Sequence, residues 1–194
     1  MQAPKLVRLF AAGLLAAVSM WPATVIAQKA RATSLGVGGG FTMPTGDYSD
    51  CCSSGFNVGG FVQWRQPDQV FGVRGEVLYN RNDMKDEWIN DLGGDSGNTG
   101  ILSFDVDGVL EVAPRESSMG WYLLAGVGMY QVKTSVSVFG SSASDTQSEL
   151  GFNAGGGLTF RMGGANLFVE GRWHNVKVDN ATYAFLPLTV GLRW

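Results

Sequence analysis

A chain of 194 residues with 45% apolar and only 16% charged residues has the length of one domain and is poor in charge for a soluble protein, where about 25% is usual. Its 14 Lys plus Arg against 17 Asp plus Glu give a net charge of -3, which excludes the basic footprint that nucleic-acid binding requires. The 28 glycines recur inside apolar alternation, with neither a collagen period nor a linker's polar monotony, so they belong within structure.

The first residues, MQAPKLVRLFAAGLLAAVSMWPATVIAQ, have a basic start in Lys5 and Arg8, an apolar run from Leu9 to Trp21, and small residues leading to Ala27. This is the layout of a secretory signal peptide over residues 1–27, cut after Ala27 or, as a second choice, after Ala32. The run is too short for a spanning helix, which needs about 20 residues. No Cys follows it to carry a lipid anchor. Removing Lys5 and Arg8 leaves 12 basic against 17 acidic residues in the remaining domain, 28–194, a net of -5.

Beyond residue 27 no segment has helical periodicity, and period two predicts strands over 34–42, 56–65, 70–80, 101–112, 119–133, 149–161, 166–177 and 185–194. Most exceed the usual length of about 5 to 6 residues and match the roughly 9 to 11 that a tilted membrane-spanning strand needs. The connections alternate in length. QPDQ, APRESS and MGGA are short, whereas 43–55, 81–100, 134–148 and 178–184 are longer. Short turns at one end and long loops at the other are the pattern of an outer-membrane barrel. The only cysteines, Cys51 and Cys52, are adjacent in the first long loop; an exported chain allows a vicinal disulfide there, but a ring so small staples nothing. No further ligand stands at metal-binding spacing nearby.

Parity separates two faces. One collects Phe56, Val58, Val62 and Trp64, then Phe71, Val73, Val77 and Tyr79, and continues through Trp121, Leu123, Val127, Trp173, Leu188, Val190, Leu192 and Trp194 without a single charge. The other holds Arg65, Arg74, Glu76, Asp105, Asp107, Glu111, Arg161, Glu170, Arg172 and Arg193 among many glycines. A soluble barrel turns its apolar face inward, so this distribution is inside out and makes the charged face a lumen. Trp64, Tyr79, Trp121, Trp173 and Trp194 are then girdle aromatics at the membrane interfaces. The fold class is all-β, an eight-stranded antiparallel up-and-down transmembrane barrel.

With a signal peptide, eight such strands and the C-terminal LPLTVGLRW, the chain resembles the small outer-membrane β-barrel domain family of OmpA/OmpX-type barrels over roughly 34–194. GVGGGFTMPTGDYS and FVEGRWH look like family segments too. The resemblance implies a cell outer-membrane location, and it implies that Leu188, Val190, Leu192 and Trp194 form the signal read by the barrel-assembly machinery, with Trp194 in place of the commoner Phe. It is weak for activity, because the family includes adhesion, structural and uncharacterised members.

Arg74, Glu76, Asp105, Asp107, Glu170 and Arg172 form a candidate lumen ion-pair network. Pairing is required in any narrow interior; a rearranging network would also make a small gated ion channel. His174, the only histidine, is the residue that a lipid A deacylase-like hydrolase would use, but its parity is inward and Val176 stands where the Ser is expected. No catalytic residue, metal site or cofactor is therefore assigned. The acids Asp83, Asp86, Glu87, Asp91 and Asp95 of the second long loop lack an EF-hand's spacing and read as solvated surface. GVGGGF is no dinucleotide fingerprint, since Phe41 replaces the third Gly and no helix follows. The expected role is structural or surface-interactive, as a monomer among outer-membrane lipid and lipopolysaccharide.

Overall fold

The computed structural model describes residues 33–66, 69–91, 94–112, 118–138, 141–178 and 181–194. The segment 1–27, expected from the sequence to be a signal peptide, lies outside the described residues. Eight strands follow one another: β1 (Thr33–Thr45), β2 (Gly55–Arg65), β3 (Phe71–Asp83), β4 (Ser96–Val112), β5 (Met119–Val138), β6 (Ser141–Met162), β7 (Ala165–Val178) and β8 (Ala181–Arg193). Each pairs antiparallel with its chain neighbours, and β1 pairs with β8, so the sheet is a closed barrel. Reciprocal backbone bonds between Leu35 and Trp194, of 2.9 and 3.0 Å, continue that seam past the end of β8.

The stagger sets the dimensions. Ladder partners run from Ser34 through Gln63, Arg74, Asp107, Gly126, Asn153, His174 and Phe185 to Pro44, ten residues further along β1. Eight strands with that offset tilt strongly and leave an interior about as wide as side chains can fill. Arg74, Asp105, Asp107, Glu170, Arg172 and His174 are buried in it, while Val58, Phe71, Val73, Leu123, Val127 and Val190 are each at least half exposed. The inside-out parity read from the sequence is thus the observed one.

Close approach explains the inward glycines of β5. Gly126 pairs with Asp107 and Gly128 with Asp105, and a Cβ at either would overlap the opposing carboxylate and the β4 backbone. The aspartate side chains lie across the space that a β5 side chain would occupy.

Three expectations are corrected. The segment 134–148 is mostly strand, because β5 and β6 remain paired from Lys133↔Thr146 to Val138↔Ser141. Above the apolar face both sides of a strand meet water, so hydrophobic alternation fades although the β-branched, hydrogen-bonded ladder continues. Pairing likewise extends β3 to Asp83 and begins β4 at Ser96 and β8 at Ala181. Finally, the first two long loops contain short helices, α1 (Tyr48–Cys51) and α2 (Asp86–Asp91), of four and six residues. One turn is too short to show a 3.6-residue period.

A closed barrel resists SDS until heated, so unboiled and boiled protein are expected to differ in electrophoretic mobility. Gly128→Leu should reduce the folded band and lower stability by about 1–3 kcal/mol through overpacking, measured by urea titration in detergent; an unchanged midpoint would mean that Asp105 does not occupy that space.

Candidate functional site

The interior is built in layers. At the short-turn end, Glu111 on β4 accepts bonds from Arg193 of β8 at 2.6 and 3.0 Å and from Gln63 of β2 at 2.8 Å. Arg65, partly exposed at this mouth, stands 3.6 Å from the same carboxylate. Gln63 also links upward, since its Oε1 accepts from Arg74 Nε and Nη2 at 3.2 and 3.0 Å.

The central layer holds two guanidiniums. Arg74 donates to Glu170 at 2.6 Å, lies 3.7 Å from Glu76, and sits 4.0 Å above the Phe61 ring. Arg172 meets three carboxylates: Glu76 at 2.7 Å, Asp107 at 3.2 Å and Glu170 at 2.5 Å. Tyr122 donates its hydroxyl to Glu170 at 2.7 Å. Phe61 and Phe168 pack edge to face beside this cluster, 5.5 Å between centroids, and exclude water from it. Glu170 and Arg172 leave β7 on one parity, so the two side chains also meet each other across a single intervening residue.

Asp105 departs from the ion-pair expectation. It is held by neutral donors instead: Ser103 at 2.6 Å, Tyr130 at 2.8 Å and Asn153 at 3.1 Å. The Tyr130 hydroxyl is also 2.9 Å from His174 Nδ1, which makes a chain from carboxylate through phenol to imidazole. His174 is fully buried, with Phe185 stacked on it at 4.8 Å. It therefore does not face the outer apolar surface, and Val176, two residues on, is buried as well.

Above this layer the interior turns apolar. Tyr48 of α1, Cys52, Ile101, Tyr130, Val132, Val176 and Phe185 form one buried cluster, and Tyr48 is 2% exposed. The first long loop thus packs Tyr48 and Cys52 into the mouth. Beside it, Thr42 donates to Asn80 at 2.6 Å and Thr189 to Asn57 at 2.9 Å.

Known proteins share this architecture. A family model described as the outer membrane protein beta-barrel domain matches residues 10–194. The chain belongs to this family. Its fold is similar to that of Neisserial surface protein A, at 17% identity, TM-score 0.58, and coverage of 86% of this chain and 98% of that one. It is also similar to a major outer membrane protein of Thermus thermophilus, at 12% identity, TM-score 0.55 and coverage of 84% and 99%. A third is Ail, the attachment invasion locus protein of Yersinia pestis, solved with the heparin analogue sucrose octasulfate, at 20% identity, TM-score 0.50 and coverage of 84% and 97%. No curated protein matches the chain.

For this outer-membrane family member the structure places the other predicted residues as follows. Trp64, Trp121, Trp173 and Trp194 point outward with 39–49% exposure, and Tyr79 is half-buried against Phe56. Leu188, Val190 and Leu192 share that outward row on β8. Glu111, Arg193 and Gln63 form an interior cluster that parity alone placed inward without pairing, and Tyr122 and Tyr130 supply hydroxyls that the sequence reading did not single out. Their signal was available: tyrosines on the inward parity of β5, in register with charged residues of β4.

Cys51 and Cys52 are free thiols with sulfurs 2.8 Å apart, and Cys52 is buried. The hydrogen bond between the two sulfurs holds the Cys51 thiol below its usual range, while that bond and burial push Cys52 up. In folded protein iodoacetamide should therefore label Cys51 first, read by peptide mass spectrometry; equal rates would contradict the assignment.

Arg172→Met leaves three carboxylates facing one another and should cost about 3–5 kcal/mol. Asp105→Asn, whose partners are neutral, should cost less. Unfolding in urea followed by tryptophan fluorescence orders the two, and a reversed order would relocate the centre of the network.

Proposed function

We propose that this barrel spans the outer membrane as a monomeric surface protein with a structural or interaction role, its side-chain-filled lumen serving as a stable interior and its long loops as the contact surface. The observation that carries the reading is the occupied lumen: a paired central layer bounded by the Glu111 and Arg193 cluster below and the Tyr48, Phe185 and Ile101 cluster above. Conduction would require Arg172 to leave Glu76, Asp107 and Glu170 together. A pore of eight strands has no spare width for that exchange.

The paired extension of β5 and β6, through Val138 and Ser141, supports an interaction role. It carries a ladder beyond the apolar belt and would present Ser, Thr and Asp side chains to the environment. The uncharged outward rows suit lipid, the closed sheet offers no edge for a second subunit, and Leu188, Val190, Leu192 and Trp194 are the segment that the assembly machinery would read. Export through residues 1–27, with cleavage after Ala27 or Ala32, would deliver the chain to it.

Single-channel recording in planar bilayers tests the reading. Unaltered protein is expected to give no discrete conductance steps. Recurrent steps that change in Glu170→Gln or Asp105→Asn would replace the filled-lumen role with that of a gated channel.

A further inference from the structure

The adjacent cysteines of the first long loop are reactive groups that the filled lumen does not use. Cys51 ends α1 and is half-buried, whereas Cys52 is 2% exposed and belongs to the cluster of Tyr48, Ile101 and Phe185. Their sulfurs are 2.8 Å apart. The backbone around them is fixed to the end of β3: Ser53 N–H donates to Asp83 O at 2.8 Å and Lys85 N–H to Cys51 O at 2.9 Å, on either side of the bridge between Cys52 and Met84. A ladder step therefore holds the two sulfurs together, in addition to the single turn of α1.

This placement gives the two thiols different chemistry. The thiolate is the nucleophilic form of cysteine. The hydrogen bond between the sulfurs favours that form at Cys51, and the charge of Lys85 adds to it against burial and Asp50. The same bond, with burial, keeps Cys52 protonated. A thiolate partly open to solvent with a second thiol in contact behind it is the pair that a two-step oxidation requires, the first to attack and the second to resolve.

The geometry points to Cys51 and Cys52 as a peroxide-reactive pair, in which the Cys51 sulfur attacks a hydroperoxide, the Cys52 sulfur closes a vicinal disulfide, and α1 is loosened from the mouth. In the first step a bond forms between Cys51 Sγ and one peroxide oxygen, the O–O bond breaks, and Cys51 becomes a sulfenic acid while the other oxygen leaves as hydroxide or alkoxide. In the second, Cys52 Sγ attacks Cys51 Sγ, the S–O bond breaks, and the Cys52 proton leaves with the hydroxyl as water. The pair gives up two electrons and the peroxide takes them; a small dithiol restores both thiols by exchange. Closing the bond draws the sulfurs from 2.8 Å to about 2.05 Å.

A ring between neighbours shortens no loop, so its consequence is local. In the reduced pair the Cys51 thiol donates to Tyr48 O at 3.4 Å, and Cys52 Sγ lies 3.8 Å from Thr99 Oγ1. The disulfide has no S–H to donate, and it pulls the Cys52 sulfur toward Cys51. Tyr48, buried against Tyr183 and Phe185, thereby loses a tie to its own carbonyl and part of its packing against Cys52.

The test uses folded protein in detergent, checked by heat-modifiable mobility and first reduced with dithiothreitol. After equimolar hydrogen peroxide the protein is denatured, alkylated and read by peptide mass spectrometry. The parent should lose two hydrogens and both alkylation sites, and regain them with dithiothreitol. Cys52→Ser should stop at the sulfenic acid, captured on Cys51 by dimedone, whereas Cys51→Ser should react about tenfold more slowly because its remaining thiol is buried. In urea-unfolded protein the two variants should react alike. Chymotrypsin should cut after Tyr48 roughly fivefold faster in the oxidised than in the reduced parent, the effect of one lost tie. Equal peroxide rates for the two folded variants overturn the assignment, as does a parent whose thiols survive the peroxide or pass to sulfinic acid without a disulfide. An unchanged rate of cutting at Tyr48 overturns the link to α1.

Discussion

Closing β1 on β8 with a stagger of ten residues leaves an interior with room for side chains and little besides, and inward groups placed there lose most of their water. A charge in that position costs several kcal/mol unless it is paired. Arg172 therefore meets three carboxylates, Arg74 meets Glu170, Glu76 and Gln63, and the hydroxyls of Tyr122 and Tyr130 donate to Glu170 and Asp105. The same shortage of width makes glycine obligatory opposite Asp105 and Asp107, where the carboxylates lie across the neighbouring strand.

The layers also divide labour. The polar layers hold strands from distant parts of the chain together: the Arg74 to Glu170 pair joins β3 to β7, and the Arg193 to Glu111 pair joins β8 to β4. The apolar layer above them is contributed partly by α1, so the first long loop is fastened into the mouth through Tyr48 and Cys52.

Outside the barrel the governing constraint is different. Lipid accepts no unpaired backbone and little charge, and the strand ladder with its uncharged outward rows meets both demands. Among the described residues, outward-facing Arg and Lys appear only toward the long-loop end, as Arg81, Lys133 and Lys177.

Period two and the segregation of charge were legible in the sequence, because strand geometry alternates side chains whatever the rest of the chain does. From them came the strand count, the inside-out faces, the barrel class and the inward set to which Arg74, Glu170 and Arg172 belong. Which of those inward groups touch was decided by stagger, a property of the closed sheet: it brings Arg172 to Asp107 across 65 residues and gives Asp105 to Tyr130 and Asn153 instead of to an arginine. The extension of β5 and β6 and the docking of α1 in the mouth were likewise tertiary decisions. Each depends on hydrogen bonds or packing between segments far apart in the chain, and local pattern carries no record of those.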